Sequence, residues 1–387
     1  MSAGDAFDAL ISRLETPAYV LDLARLRACG DRLQSIQRGS GASVLLALKG
    51  FATWSAFPAL RHGLTGAAVS SPHEARLARE HLGGELHAYF VAYGERDLEA
   101  VAPLCSHLTF NSEIQLKAWA RRALTLRRDL SIGLRVDPEC SVVKAAIYDA
   151  SAPGSRFGVT METARELIDG ELVRGILLHN HGRSFVSDLE KTLEQVEAQL
   201  GDRLDRLEWL NLGGGHWVNH PQYEVDRLIE LLARLTERYR VRAYVEPGEG
   251  AATDAGVLVG RVLDLFQKRE TTIAILDLSA YNHMPCVIHM PLRPRVLGGD
   301  QPGKKPFTYR LGGITCVSGD VMGDYSFDRP LAIGDAVVFE DMAHYTTVMA
   351  TDFNGVRRPS IYLWDSATDQ LQKVRSPTYE DCAGRLS

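Results

Sequence analysis

Eight short apolar runs, each followed by a stretch with amphipathic helical spacing, dominate the first two-thirds of the chain. The runs fall at residues 44–49, 67–71, 86–92, 108–112, 131–136, 173–180, 207–212 and 241–246. Amphipathic stretches lie between them, among them 72–81, 112–125, 187–200 and 222–239. Strands that are apolar throughout are buried on both faces, and their alternation with helices predicts parallel β/α units. Eight such units over about 210 residues is the size of a (β/α)8 TIM-like barrel. An open doubly wound sheet is the rival, but no G-x-G-x-x-G fingerprint follows the first run.

The texture changes after about residue 256. Residues 272–278, 308–311, 335–339 and 345–350 are strand-like, with Gly299-Asp300, Gly312-Gly313 and Gly334-Asp335 as turns. This predicts an antiparallel β domain. Residues 18–21 add a strand, and 23–36 a helix leading into the barrel. The expected α/β architecture is therefore a barrel over residues 23–255 and a C-terminal β domain formed by 1–22 and 256–387.

Composition narrows the function classes. A formal net charge of −6 over 387 residues gives no electrostatic reason to expect nucleic acid or an anionic membrane as partner. The first sixteen residues lack the basic and apolar regions of a signal peptide, and no apolar run approaches a bilayer span. The six cysteines are scattered without a C-x-x-C pair, the pattern of reduced thiols in a cytoplasm.

Barrel enzymes place their chemistry at the C-terminal ends of strands, and often bind phosphate after strands 7 and 8. Lys49 ends the first run, after Leu46-Ala47-Leu48. An amine partly withdrawn from water has a lowered pKa and suits Schiff-base chemistry. Taken alone, it reads better as a lysine that merely ends a strand and reaches solvent. The seventh run leads into Gly213-Gly214-Gly215-His216, and the eighth into Glu246-Pro247-Gly248-Glu249-Gly250. Glycines let backbone N–H groups approach an anion, although either stretch alone could be a plain turn. Together with a lysine at strand 1 they point to a phosphate-bearing cofactor. His181 closes the sixth run, in His179-Asn180-His181-Gly182, where it could stack on a flat ring; His179 could as well be a hydrogen-bonded core histidine. Two histidines at i and i+2 raise the question of a metal, but no third ligand is spaced convincingly, so none is expected.

At this point the residues resemble a known family, the fold-type III pyridoxal phosphate (PLP) decarboxylases, and within it the carboxynorspermidine and carboxyspermidine decarboxylases. The resemblance covers essentially the whole chain. It is carried by Leu45-Leu46-Ala47-Leu48-Lys49-Gly50-Phe51-Ala52, Phe110-Asn111-Ser112, Ser155-Arg156-Phe157-Gly158 and Trp209-Leu210-Asn211-Leu212-Gly213-Gly214-Gly215-His216. Glu246-Pro247-Gly248-Glu249, Thr315-Cys316, Gly319-Asp320-Val321-Met322-Gly323-Asp324 and Asp341-Met342-Ala343-His344-Tyr345-Thr346 continue it. The resemblance implies PLP-dependent α-decarboxylation of an amino acid, in polyamine biosynthesis, by a homodimer with shared active sites. Lys49 would carry the cofactor as a Schiff base and His181 would stack on its ring. The Gly213–Gly215 and Gly248–Gly250 loops, with Glu249 and Tyr345, would hold the phosphate, and Glu246 would pair with the pyridine nitrogen. Cys316 would come from the partner subunit and reprotonate Cα; read from composition alone it is an ordinary buried thiol. Asp320 would contact the substrate amine, with a turn-capping role as the alternative.

The departures concern the substrate. Where the polyamine members carry H-M-P-D-V-L-E-M-P, this chain has Cys286 and His289 in place of two acids, within His283-Met284-Pro285-Cys286-Val287-Ile288-His289-Met290-Pro291. After the strand-6 histidine an acid is gone and Arg183 has arrived. Losing acids and gaining a base disfavours a ligand with several ammonium groups. The expectation is an altered, less cationic or anionic substrate read by Arg183, Cys286 and His289, unless these lie outside the pocket. A racemase, a non-catalytic PLP-holding protein and a lysine-dependent aldolase are the rivals; Glu246 and Cys316 argue against the first, the C-terminal domain against the second.

Overall fold

The computed structural model describes residues 3–143, 146–289 and 292–387. Met290 and Pro291, the end of the departing motif, lie outside the described residues. The chain divides into two compact units, Arg27–Ala251 and the residues up to Leu26 together with Ala252–Ser387. Among the described residues no helix is long and apolar enough to cross a membrane.

The first strand, β1 (Ala18–Asp22), belongs to the second unit. The next eight close into a parallel barrel: β2 (Ser43–Ala47), β3 (Gly66–Val69), β4 (Glu85–Tyr89), β5 (His107–Phe110), β6 (Ser131–Val136), β7 (Gly175–Leu178), β8 (Trp209–Asn211) and β9 (Arg242–Val245). Each expected run overlaps one of them, and closure is made by Ser43 opposite Tyr244 and Val44 opposite Val245. Local chemistry sets the helices between them. Ser71 caps Pro72–His81 by accepting from the Glu74 N–H at 3.1 Å, with Pro72 in the first turn where its missing N–H costs nothing. Ser112 caps Glu113–Leu126 in the same way. The interior departs from the Val/Ile/Leu layers usual in such barrels. Trp209 fills it, donating from Nε1 to Ser131 Oγ at 2.8 Å. Gly133 and Gly175 face it, and a Cβ on either would lie 2.4 or 2.0 Å from ring atoms.

The second unit is a sheet ordered β13-β12-β11-β10-β1-β15-β16, with β14 on β10. Here β10 is Gly256–Lys268, β11 Thr271–Leu276, β12 Phe307–Gly312, β13 Val321–Phe327, β14 Ala336–Glu340, β15 Ser360–Asp365 and β16 Gln370–Arg375. The sheet is mostly antiparallel, but β1 runs parallel to β15 and β11 parallel to β12. One long strand serves two groups of partners. Val257–Arg261 of β10 pairs with β14 and its start with β1, and beyond a shift between Val262 and Asp264 the strand pairs with β11.

Residues 345–350, expected as a strand, instead begin at a positive φ of 51° on Tyr345 and turn into the short helix Thr346–Met349. The β-branched residues that suggested a strand are held by their own hydroxyls. Thr346 Oγ1 donates to Met342 O at 2.6 Å and Thr347 Oγ1 to Ala343 O at 3.0 Å.

Candidate active site

At the C-terminal ends of the barrel strands, Lys49, Ser70, Tyr89, His179 and Glu246 line one small cavity, with His87, Ala47, Ala68, Val69 and Leu177 completing its wall. Lys49 follows β2 in a tight turn, Gly50 N donating to Ala47 O at 2.9 Å. Its chain is water-accessible at the cavity mouth, yet protein surrounds the amine closely enough that desolvation lowers its pKa. Glu246 opposes that shift and the Arg135 guanidinium adds to it.

His179 decides the state of that amine. Its Nδ1 accepts from the Gly214 N–H at 2.7 Å, which places the ring proton of a neutral imidazole on Nε2. Nε2 lies 3.0 Å from Lys49 Nζ. Burial holds the His179 pKa well below its ordinary value, and Lys49 lowers it further. A neutral Nε2–H facing Nζ requires the amine to accept, so the pair is matched only with Lys49 as the free base. That is the nucleophilic form of a lysine.

Glu246 is buried, at 8 % exposure, and its Oε1 accepts from Asn211 Nδ2 at 2.7 Å. Asn211 Oδ1 in turn accepts from Gly213 N at 2.9 Å, so one amide side chain ties the carboxylate to the glycine loop. The three glycines of that loop are demanded by backbone crowding. A Cβ on Gly213 would meet His179 Nδ1 at 2.4 Å, on Gly214 the Glu246 carbonyl at 2.4 Å, and on Gly215 the His181 carbonyl at 2.1 Å. Gly213 and Gly214 spend their N–H groups inside the protein, whereas those of Gly215 and Gly248 donate to no acceptor among the described residues. A covalent amine, a buried carboxylate and unused backbone donors are the complement of an aldehyde, a ring nitrogen and a phosphate. The residues present therefore fit PLP.

His179 is the histidine beside Lys49. His181, expected to stack on the cofactor ring, packs on His216 with ring centroids 5.0 Å apart, and neither of its ring nitrogens has a hydrogen-bond partner. Strand β7 ends at Leu178, one residue before the first histidine, so His179 and His181 stand on a loop and not in strand alternation. Arg183 pairs with Glu249, Nε to Oε1 at 2.7 Å, and its guanidinium lies 5.4 Å from the centre of the Trp217 ring. Its charge is thus answered within the barrel unit.

Three residues of this site went unread in the sequence. Glu74, half-buried and with its pKa raised by desolvation, accepts from Ser70 N at 2.7 Å and senses the Lys49 charge. Arg135 donates to His179 O at 2.8 Å with its guanidinium over Tyr89 and Phe157. Tyr89 donates to Asn111 Oδ1 at 2.6 Å. Only the Ser71 cap, three residues before Glu74, offered a local signal.

The remaining candidates belong to the sheet unit. Cys316 is exposed, on a loop whose N–H at that residue donates to Asn354 Oδ1 at 2.9 Å. Asp320, expected as a substrate contact, is only 4 % exposed. Its carboxylate accepts from Ser279 Oγ, Tyr281 N, Thr315 N and Thr315 Oγ1, so it organises the Cys316 loop. Cys286 and His289 bound a four-residue helix, the cysteine half-buried against the sheet core and the histidine exposed.

The family described as "Pyridoxal-dependent decarboxylase, C-terminal sheet domain" matches residues 18–343. The chain belongs to this family. The decarboxylase is 42 % identical over 379 residues to the carboxyaminopropylagmatine decarboxylase of Synechocystis, covering 97 % of this chain and 96 % of that one. It is 36 % identical over 380 residues to the carboxynorspermidine/carboxyspermidine decarboxylase of Campylobacter jejuni, covering 95 % and 98 %. The crystal structure of the carboxynorspermidine decarboxylase of Campylobacter jejuni with norspermidine superposes with a TM-score of 0.87, at 35 % identity over 96 % of this chain and 100 % of the other. The protein is a carboxy-lyase of the pyridoxal-dependent type.

Proposed function

We propose that this decarboxylase uses PLP held by Lys49 to remove the α-carboxylate of a carboxylated polyamine, with carboxyaminopropylagmatine or carboxynorspermidine as the nearest chemistry. The observation that carries the reading is the Lys49–His179 pair in one cavity with Glu246. PLP, when bound, supplies a conjugated pyridinium that takes up the electron pair left at Cα as CO2 departs. Lys49, as a free base, holds the aldehyde. His179 positions that amine and flanks the ring. Glu246, fixed by Asn211, keeps a proton on the ring nitrogen. The N–H groups of Gly215 and Gly248, with Tyr345, bind phosphate. Cys316, supplied by the partner in a homodimer, returns the proton to Cα. With all described cysteines free, a reducing cytoplasm is the fitting compartment.

A cationic substrate is favoured over the less cationic one inferred from the loss of acids. Part of that inference rested on Arg183 as an unmatched positive charge, and Glu249 matches it. The names of the two most similar relatives described above point the same way.

The test is a CO2-release assay on carboxyaminopropylagmatine, carboxynorspermidine, carboxyspermidine, diaminopimelate, ornithine and lysine. A carboxylated polyamine is expected to lead in kcat/KM by at least about tenfold, a margin of roughly 1.4 kcal/mol. Preference for diaminopimelate would overturn the substrate reading. Lys49→Ala is expected to lose both the yellow colour and turnover, and Cys316→Ala to keep the colour and lose turnover. A Lys49→Ala protein that stays yellow with stoichiometric PLP refutes the lysine assignment.

A further inference from the structure

Strand β4 turns Glu85, His87 and Tyr89 to the same side, as alternation requires. Tyr89 and His87 line the Lys49 cavity. His87 is only 3 % exposed, and neither of its ring nitrogens has a hydrogen-bond partner. It stacks on His107, with centroids 3.7 Å apart and planes 17° from parallel, and Tyr244 lies 4.5 Å away. Burial lowers the pKa of His87 against the opposing pull of Glu85, whose Oε2 lies 3.7 Å from Nε2, beyond hydrogen-bond length; the ring is neutral and its Nδ1 is left without a partner. Each such group costs about 1–3 kcal/mol, which a hydrocarbon ring in the same place would avoid.

Two explanations fail on the geometry. Glu85, His87 and His107 present ligand-type atoms within 4.8 Å of one another. Yet Glu85 Oε1 is held by Arg242 at 2.7 Å and Oε2 accepts from Tyr244 at 2.9 Å. Near-parallel rings also aim their lone pairs side by side and not at a common point, so a cation is poorly served. Packing alone needs no nitrogen. What remains open to His87 is the cavity itself, whose wall holds the carboxylate of Glu246 and the amine of Lys49.

We propose that His87 is a cofactor-site residue, a neutral imidazole on the cavity wall whose unmatched Nδ1 is completed by a polar group on the edge of the hydroxypyridine ring. This rests on Lys49 as the cofactor lysine. The unmet polarity is a cost carried by the apoprotein and removed on loading.

Two quantities separate this role from a core role. His87→Phe keeps the stack with His107 and removes the nitrogens. Its apoprotein is expected to melt at the wild-type temperature or above, while its dissociation constant for PLP rises about tenfold or more. The pH midpoint of the visible band should move as well. His107→Phe, beside His87 but not among the cavity-lining residues, should leave the PLP constant and the band unchanged. A His87→Phe protein with wild-type PLP affinity and an unmoved band overturns the proposal, as does a lowered apoprotein melting temperature with unchanged affinity. His87→Leu is smaller and is judged by the same outcomes should the phenylalanine variant fail to fold. Wild-type protein that takes up no PLP sinks this proposal and the lysine reading together; wild-type uptake with an indifferent His87→Phe sinks this one alone.

Discussion

The Lys49–His179 pair turns on one backbone N–H. Gly214 donates to His179 Nδ1, so the imidazole proton faces the lysine and the lysine must accept it. His179 therefore both positions the amine and borders the cavity, whereas His181 is committed to His216. His179→Leu is expected to weaken PLP binding by about tenfold or more, the scale of one lost contact to the ring, and His181→Leu to change it by less than about threefold. Fluorescence titration of the apoproteins with PLP measures both; equal losses would mean the two histidines share the role. At this scale the sequence was legible where a feature is local. Lysine at the end of an apolar run and glycines after two others announced themselves. The choice between His179 and His181 was not legible, because it depends on whether the strand stops at Leu178 or runs on. Nor was the Arg183–Glu249 pair, which joins two loops distant in the chain and removes Arg183 from a charge argument that also rested on the acids replaced by Cys286 and His289.

Among the elements, the eight barrel strands and the helices between them were readable because a buried parallel strand and an amphipathic helix each leave their own period. What lay beyond the pattern were contacts made across the barrel. Gly133 and Gly175 look like weak points in apolar strands, yet both open the interior to Trp209. Gly175→Ala would set a methyl 2.0 Å from the Trp209 ring and should lower stability by about 1–3 kcal/mol in urea unfolding. The loss should shrink in Gly175→Ala/Trp209→Phe, because the neighbours couple through one volume. Additive losses in the double variant would show that the glycine serves something else. In the sheet unit, the short Thr346–Met349 helix defeated the β-branched signal through its threonine hydroxyls. Strands β13, β15 and β16 carried no period strong enough to read.

Across the whole molecule, buried neutral histidines dominate the response to acid. Desolvation lowers the pKa of His107 to about 3, of His216 to about 4 and of His283 to about 4, and pushes His87, His179 and His181 down too. In the unfolded chain these rings bind protons near pH 6.5, so below that point unfolding takes up protons and stability falls with pH. Glu85, held at about 2, adds a loss in the same direction below its ordinary 4.5. The urea midpoint of the apoprotein should be clearly lower at about pH 5 than at about pH 7.5. A midpoint that is flat across this range would mean that the rings are not held neutral. The division into two units was also anticipated in outline, since the texture of the sequence changes near the last barrel strand. The sheet unit is assembled from both ends of the polypeptide, and β1 lies at its centre, bonded on one side to β10 and on the other to β15. During synthesis that strand leaves the ribosome first, yet its second neighbour emerges only near the end. The barrel can thus be complete while the tail's sheet still lacks an edge for its oldest segment.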